Sequence, residues 1–239
     1  MKVKKISVAN VEVSSLPKLL DEEKIGFQPV SKVNWNEYPY CPKVEFRVAH
    51  TEDAILLHFK VTEASVRARY GEDNGSVWTD SCVEFFSIPA GDGIYYNIEC
   101  NCIGTVLVGV GPQRNNREHA PADVTVQIQR WSSLGRTPFE ERVEEVTWEV
   151  ALVVPYTVFF KHQITSLDGK EIKANFYKCG DELQTPHFLS WNPIEIEQPD
   201  FHPSVRWKWN KLLHRISSFL FLHSKNIPML SYRTWGCCA

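Results

Sequence analysis

The sequence predicts an all-β protein, a single antiparallel β-sandwich of jelly-roll-like type with one or two short helices. Three observations carry this prediction. Apolar residues recur at every second position in successive short stretches. The segments between those stretches are rich in Gly, Pro, Asn and Asp. There is no βαβ rhythm and no internal repeat. A length of 239 residues lies at the upper end of one all-β domain, and no linker divides it. The domain is expected to span residues 1–202.

The elements follow in order. Ser14-Ser15 before Leu16, Pro17, Leu19 and Leu20 predicts a short helix that ends near Gly26. Val44, Phe46 and Val48 form the first strong alternating set. Ile55, Leu57, Phe59 and Val61 form the second, opposite Ala54, Leu56, His58 and Lys60. Val124, Val126 and Ile128 alternate with Thr125, Gln127 and Gln129 and predict a strand there. Val146, Trp148, Val150 and Leu152 predict another, and Ala174, Phe176 and Lys178, opposing Asn175 and Tyr177, a further one. Pro155 to His162 reads as a short helical turn.

Composition removes several classes of function. A formal net charge of -3 offers no electrostatic reason for a nucleic acid or an acidic membrane surface as partner. No apolar run approaches the ~20 residues that cross a bilayer. Met1 to Asn10 is basic but lacks the apolar stretch of a secretory signal, so the chain is expected to be cytoplasmic unless a leader has been removed. Seven cysteines are an odd number without a CxxC pair. Cys100 and Cys102 share one strand face, where a strain-free bridge is not expected; buried free thiols in a reducing compartment are.

The most informative block is RARYGEDNGSVWTDSCVEFFSI, Arg67 to Ile88. A polar loop leads to Trp78, then Asp80, then a strand that carries Glu84. A flat aromatic face beside carboxylate acceptors suits a sugar, whose axial hydrogens lie on the ring while its hydroxyls need polar partners. The competing reading has Trp78 capping the core and Asp80 tying down the loop. In the next strand Asn97, Glu99 and Asn101 share one face, either solvated or lining a polar groove. The short turn from Ala90 to Gly93 makes this strand the hairpin neighbour of the one with Glu84. In GVGPQRNNRE, Gly109 to Glu118, the glycines superficially suggest a phosphate loop. Pro112 follows at once and no Lys-Ser or Lys-Thr does, so nucleotide binding is rejected. Arg114 and Arg117 are either solvated or reach toward a ligand.

The strings VWTDSCVEFF, YYNIECNCIGT, GPQRNNRE, KANFYKCGDELQTPHFLSWNPI and QPDFH resemble proteins related to family 9 carbohydrate-binding modules, over roughly Val33 to His202. The resemblance implies a jelly-roll-like sandwich that binds an oligo- or polysaccharide without cleaving it, in service of polysaccharide breakdown. It implies structural calcium, although no counterpart of the calcium ligands is identified. It implies two aromatic rings that clamp a terminal sugar. Trp78 matches the first, Trp191 or Phe201 the second, and Glu84 a sugar-binding acid. Asn97 stands where the family has an arginine, which leaves the sugar preference open. Glu99 and Arg114 complete the expected site.

Three other functions compete. A glycoside hydrolase could pair Glu84 with Glu99, at ~5 to 5.5 Å for retention or ~6.5 to 9.5 Å for inversion; nucleophile signatures such as GxSxG and HExxH are lacking. A b-type haem would need Met1 or Met229, or two of His119, His187 and His202, none suitably spaced. A protein-interaction sandwich is the remaining alternative. After His202 the pattern stops. Reading the codons of Pro203 to Trp209 one base later permits Arg-Pro-Phe-Gly-Gly, close to the continuation in the resembling proteins. Residues 203–239 are therefore expected to be an aberrant, frameshifted tail.

Overall fold

A computed structural model describes residues 1–8 and 10–202 and the backbone of Asn210–Leu213. The early elements are β1 (Lys4–Lys5), α1 (Leu16–Glu22), β2 (Gln28–Pro29), β3 (Lys32–Val33), β4 (Lys43–His50), β5 (Ala54–Glu63) and β6 (Val66–Ala68). The middle of the chain forms β7 (Cys82–Ile88), β8 (Tyr95–Asn101), β9 (Val106–Gln113), β10 (Asn116–His119), α2 (Ala122–Thr125) and β11 (Gln129–Ser132). Then come β12 (Phe139–Arg142), β13 (Val146–Pro155), β14 (Glu171–Cys179), β15 (Phe188–Ser190) and β16 (Asn210–Leu213).

Two sheets pack face to face. One runs β1-β4-β5-β13-β11, with β2 also on β4; the other runs β10-β9-β8-β7-β14-β15-β3. Nearly all pairings are antiparallel, and β1 beside β4 is the parallel exception. The alternation read from the sequence gives each strand one face toward the shared interior. Phe46, Phe59, Phe85, Ile98, Val108, Trp148 and Phe176 meet there, and each fully buried side chain of this size contributes about 1.5–3 kcal/mol.

Both sheets also bury part of their outer face. Leu16 and Leu20 of α1 cover Ala49, Leu56, Ala151 and Val153. On the other side Trp35, Val77, Ile194 and Phe201 cover Cys82, Phe86, Tyr95, Leu107, Tyr177 and Cys179. This second outer core frames the candidate site.

The interior carries one notable charge. Lys178, fully buried on the inward face of β14, lies 2.8 Å from Glu63 Oε2 and 2.7 Å from His187 Nε2. Trp148 Nε1 donates to Glu63 Oε1 at 2.6 Å, and Lys178 donates to the carbonyl of Cys179 at 2.8 Å. Every member of the cluster therefore has a partner, the condition under which buried charge is tolerated.

Two local expectations are corrected. The predicted helix stops at Glu22 rather than near Gly26, because Lys24 already takes a left-handed conformation with φ of 56°. The strand expected from Val124 is instead the helical turn α2, entered from the extended Pro121. Val124 and Ile128, four apart, are buried while Val126 is 72% exposed, which is helical spacing. The glycines of the Gly109 block serve close packing: a Cβ at Gly109 would stand 2.5 Å from Asn97 Oδ1, and one at Gly111 would stand 2.1 Å from the carbonyl oxygen of Asn116.

The expected tail, 203–239, lies outside the described residues apart from the β16 backbone, which pairs with β14 from Glu171 to Ala174. Removing residues 203–239 bares that edge. The truncated protein is expected to stay soluble and to unfold cooperatively, with a midpoint no higher than that of the full chain. Each kcal/mol lost lowers it by about 2–4 °C in a protein of this size. Thermal unfolding of both forms checks this, and a non-cooperative transition would show that the tail belongs to the core.

Candidate functional site

The outer face of the second sheet carries a pocket of about 90 Å³. Its floor is the hairpin of β7 and β8, in which Glu84 and Glu99 stand directly opposite each other. Trp78, Phe188 and Phe201 form apolar walls; Arg114, Arg117, Asp181, Asp200 and His202 supply the polar ones.

Trp78 sits on the single helical turn Val77–Thr79 and is half-buried. Its carbonyl accepts from the Asp181 amide at 3.3 Å and the Cys179 thiol at 3.4 Å, so the ring is mounted on a fixed backbone. Two residues on, Asp80 is fully buried. It accepts from Arg67 Nε at 3.2 Å, the amides of Arg69 and Tyr70 at 3.0 and 3.1 Å, and Asn101 Nδ2 at 3.0 Å. Asp80 thus ties down the loop, and Trp78 faces the pocket.

Both floor carboxyls are nearly inaccessible to water, Glu84 3% and Glu99 4% exposed. Glu84 Oε1 accepts from the Cys179 thiol at 3.0 Å, and Glu99 Oε1 accepts from Asn97 Nδ2 at 2.8 Å. The second oxygen of each, together with Arg117 Nη1, has no hydrogen-bond partner among the described residues. Arg117 Nη1 stays within 4.0 Å of Glu99 Oε1. Burial raises both carboxyls, Glu99 to about 7 against the opposing charge of Arg117, and Glu84 well above its usual range with the neighbouring Glu99 adding to the effect. Burial also lifts Asp181 to about 6.

These shifts set a pH dependence of stability. A carboxyl raised in the folded state binds its proton more tightly there than when unfolded, so its contribution falls as pH rises through the folded value. His58, lowered to about 4, and His187 and His202, lowered to about 2, all by burial, act oppositely, but only below pH ~6.5. Between pH 6.5 and 8 the ligand-free protein is therefore expected to lose stability, and Glu99→Gln to flatten that slope. Denaturant unfolding across the window measures it; equal slopes in both proteins would contradict the assignment.

Trp78, Glu84, Glu99, Arg114 and Phe201 are thus brought together, and two expected residues are not. Trp191 has interior parity after β15 and packs on Phe46 and Phe176, with ring centroids 5.5 and 5.6 Å away. The choice between the two candidate aromatics therefore falls on Phe201, stacked on Tyr177 at 4.3 Å. Asn97 does not line the pocket but holds Glu99 in place. Arg114 pairs with Asp200 at the rim at 3.6 Å.

Residues that sequence reasoning leaves out of the site are Cys179, Asp181, Phe188, Asp200 and His202, while Arg117, weighed as reaching a ligand, lines the pocket. Arg117 and His202 lie inside the strings GPQRNNRE and QPDFH. Cys179 and Phe188 become legible only once β14 is known to lie between β7 and β15. Of the candidate haem ligands, His187 is bound to Lys178 and His202 Nδ1 lies 3.0 Å from the Tyr95 hydroxyl, while Met229 lies outside the described residues.

The only cluster of three metal-capable His, Cys, Asp or Glu side chains among the described residues is Cys82, Glu84 and Cys179. Two sulfurs do not suit calcium, which takes six to eight oxygens. The calcium that the family resemblance implies does not fit this donor set. Among the described residues no helix is long and apolar enough to cross a membrane.

The fold and site define a β-sandwich ligand-binding module with a small, aromatic-walled polar pocket on its outer face. Residues 14–207 match carbohydrate-binding family 9, and the chain belongs to that family. It is similar to a candidate carbohydrate-binding protein from Bacteroides uniformis, at 51% identity and a TM-score of 0.87 over 90% of this chain and 98% of that one. Two structures of a family 9 module from Caldicellulosiruptor kristjanssonii share the fold. The glucose complex has 9% identity and a TM-score of 0.50, covering 89% of this chain and 96% of that one. The cellotriose complex has 10% identity and a TM-score of 0.54, covering 96% and 100%. No curated protein sequence matches the chain.

Proposed function

We propose that the pocket holds one sugar ring at the end of a glycan, between Trp78 and Phe201, as a non-catalytic step in polysaccharide breakdown. The observation that carries this reading is the set of buried, unpartnered polar atoms on the floor: two carboxyl oxygens and one guanidinium nitrogen. Such groups cost about 1–3 kcal/mol each when left unpaired. A sugar hydroxyl serves both kinds at once, since its O–H donates to a glutamate oxygen while its own oxygen accepts from Arg117. The cavity lies far below the ~300–1,000 Å³ of larger ligand sites, which favours a terminal ring over the interior of a chain.

Glucose and cellotriose, bound by the Caldicellulosiruptor modules, are the first ligands to test. A broad glycan array followed by calorimetry on the intact chain should return at least one sugar, with affinity weakened by Glu99→Gln. An array without hits would defeat the proposal.

The same experiment addresses hydrolysis. Glu84 and Glu99 are opposed as a glycosidase pair would be, but burial pushes both upward rather than separating one acid from one base. No reducing sugar is expected from common glycans. Sustained release abolished by Glu84→Gln would make the protein an enzyme.

A further inference from the structure

Beneath the sugar-facing surface of the pocket is a donor set of different chemistry. Cys82 and Cys179 stand directly opposite on β7 and β14, and Glu84 follows Cys82 on the same face. The Sγ atoms and a Glu84 carboxyl oxygen all lie within 4.8 Å of one another, and all three residues are at least nine-tenths buried. Asp181, two residues after Cys179, lines the same pocket.

We propose that Cys82, Glu84 and Cys179 form a three-donor site for a thiophilic divalent cation, with Zn²⁺ the best fit and its fourth position open toward the pocket. Sulfurs ~2.3 Å from a tetrahedral centre stand about 3.8 Å apart, so the observed spacing has to close by about 1 Å at most. Two thiolates with one carboxylate oxygen suit zinc and do not suit calcium or magnesium. Adjacent strands inside a sheet hold the donors more rigidly than a loop would. Glu84, Cys179 and Asp181 line the pocket and give the cation its way in. Binding breaks two S–H bonds and the Glu84 O–H bond, forms two metal–sulfur bonds and one metal–oxygen bond, and releases the three protons to solvent, with no change of oxidation state. The cation would share Glu84 with the proposed sugar site, so the two lie side by side in one pocket.

The whole chain, reduced with a phosphine rather than a thiol, is titrated with Zn²⁺ against a chromophoric chelator and separately with Co²⁺. One equivalent of Zn²⁺ is expected, and Co²⁺ should give thiolate charge-transfer bands with a tetrahedral d–d spectrum. Cys82→Ser and Cys179→Ser should each weaken binding about tenfold or more, while Cys41→Ser and a Cys237→Ser/Cys238→Ser double variant leave it unchanged. A wild-type Co²⁺ spectrum without thiolate bands overturns the proposal whether or not the variants fold. So does loss of binding in the Cys237/Cys238 variant. Glycan binding measured on the same samples keeps the two proposals separable.

Discussion

Lys178→Met is expected to destabilise the fold by about 3–5 kcal/mol, the cost of removing one partner from a buried ion pair. Lys178 and Glu63 are fully inaccessible in their side chains, 2.8 Å apart. Without the ammonium, Glu63 would retain the Trp148 indole at 2.6 Å as a donor but face no cation at contact distance. His187 Nε2 lies 3.6 Å from Glu63 Oε2, but burial, the larger of the two causes that lower it, persists without Lys178 and opposes its protonation. The double variant Lys178→Met/Glu63→Gln should recover most of the loss. It removes both charges and keeps an amide oxygen for Trp148. Urea unfolding of wild type, the two single variants and the double variant gives the coupling energy directly. A double variant no more stable than Lys178→Met would mean that the cluster matters for shape rather than charge.

Trp78→Ala is expected to weaken glycan binding by roughly 5-fold to 30-fold while leaving the fold intact. A stacking ring on a nucleic-acid platform is worth about 1–3 kcal/mol. A sugar lacks π electrons and falls toward the lower part of that range, with each ~1.4 kcal/mol a factor of ten. Folding survives because the ring is only half-buried and its backbone is held by Asp181 and Cys179. Calorimetry against the array-selected sugar, with unfolding as the control, checks both parts. Unchanged affinity would place the sugar elsewhere, and a protein that fails to fold would make Trp78 a core residue.

Much of this architecture is legible in the sequence because strands write their burial as a period of two. Ile55 to Val61 and Val146 to Leu152 announce their inward faces, and the short turn between Ser87 and Tyr95 sets Glu84 beside Glu99 from the chain alone. The same rule misleads at Val124 to Gln129, where period two and period four cannot be told apart over so few residues and Pro121 decides for a helical turn. It is also silent about what lies across the sheet. Trp191 and Phe201 look equivalent as aromatic residues near the end of the family resemblance. The strand parity of Phe188 to Ser190 sends Trp191 into the interior, whereas Phe201 reaches the pocket from the irregular chain beyond the strand. The role of Lys178 is hidden too, since a lysine at an inward position reads as an interruption until Glu63 and His187 are brought to it.

The pocket draws its walls from residues near 78, 84, 99, 117, 181 and 201, so no stretch of the chain contains it. Contacts of such long sequence separation close late, and sandwiches of this kind fold on the scale of milliseconds to seconds. Sugar affinity should therefore appear only in the last phase of refolding, after secondary structure has returned, and a proteolytic fragment ending before β14 should have none. By the same logic a saturating sugar engages only the completed sheet, and raises its unfolding midpoint in proportion to the logarithm of ligand concentration.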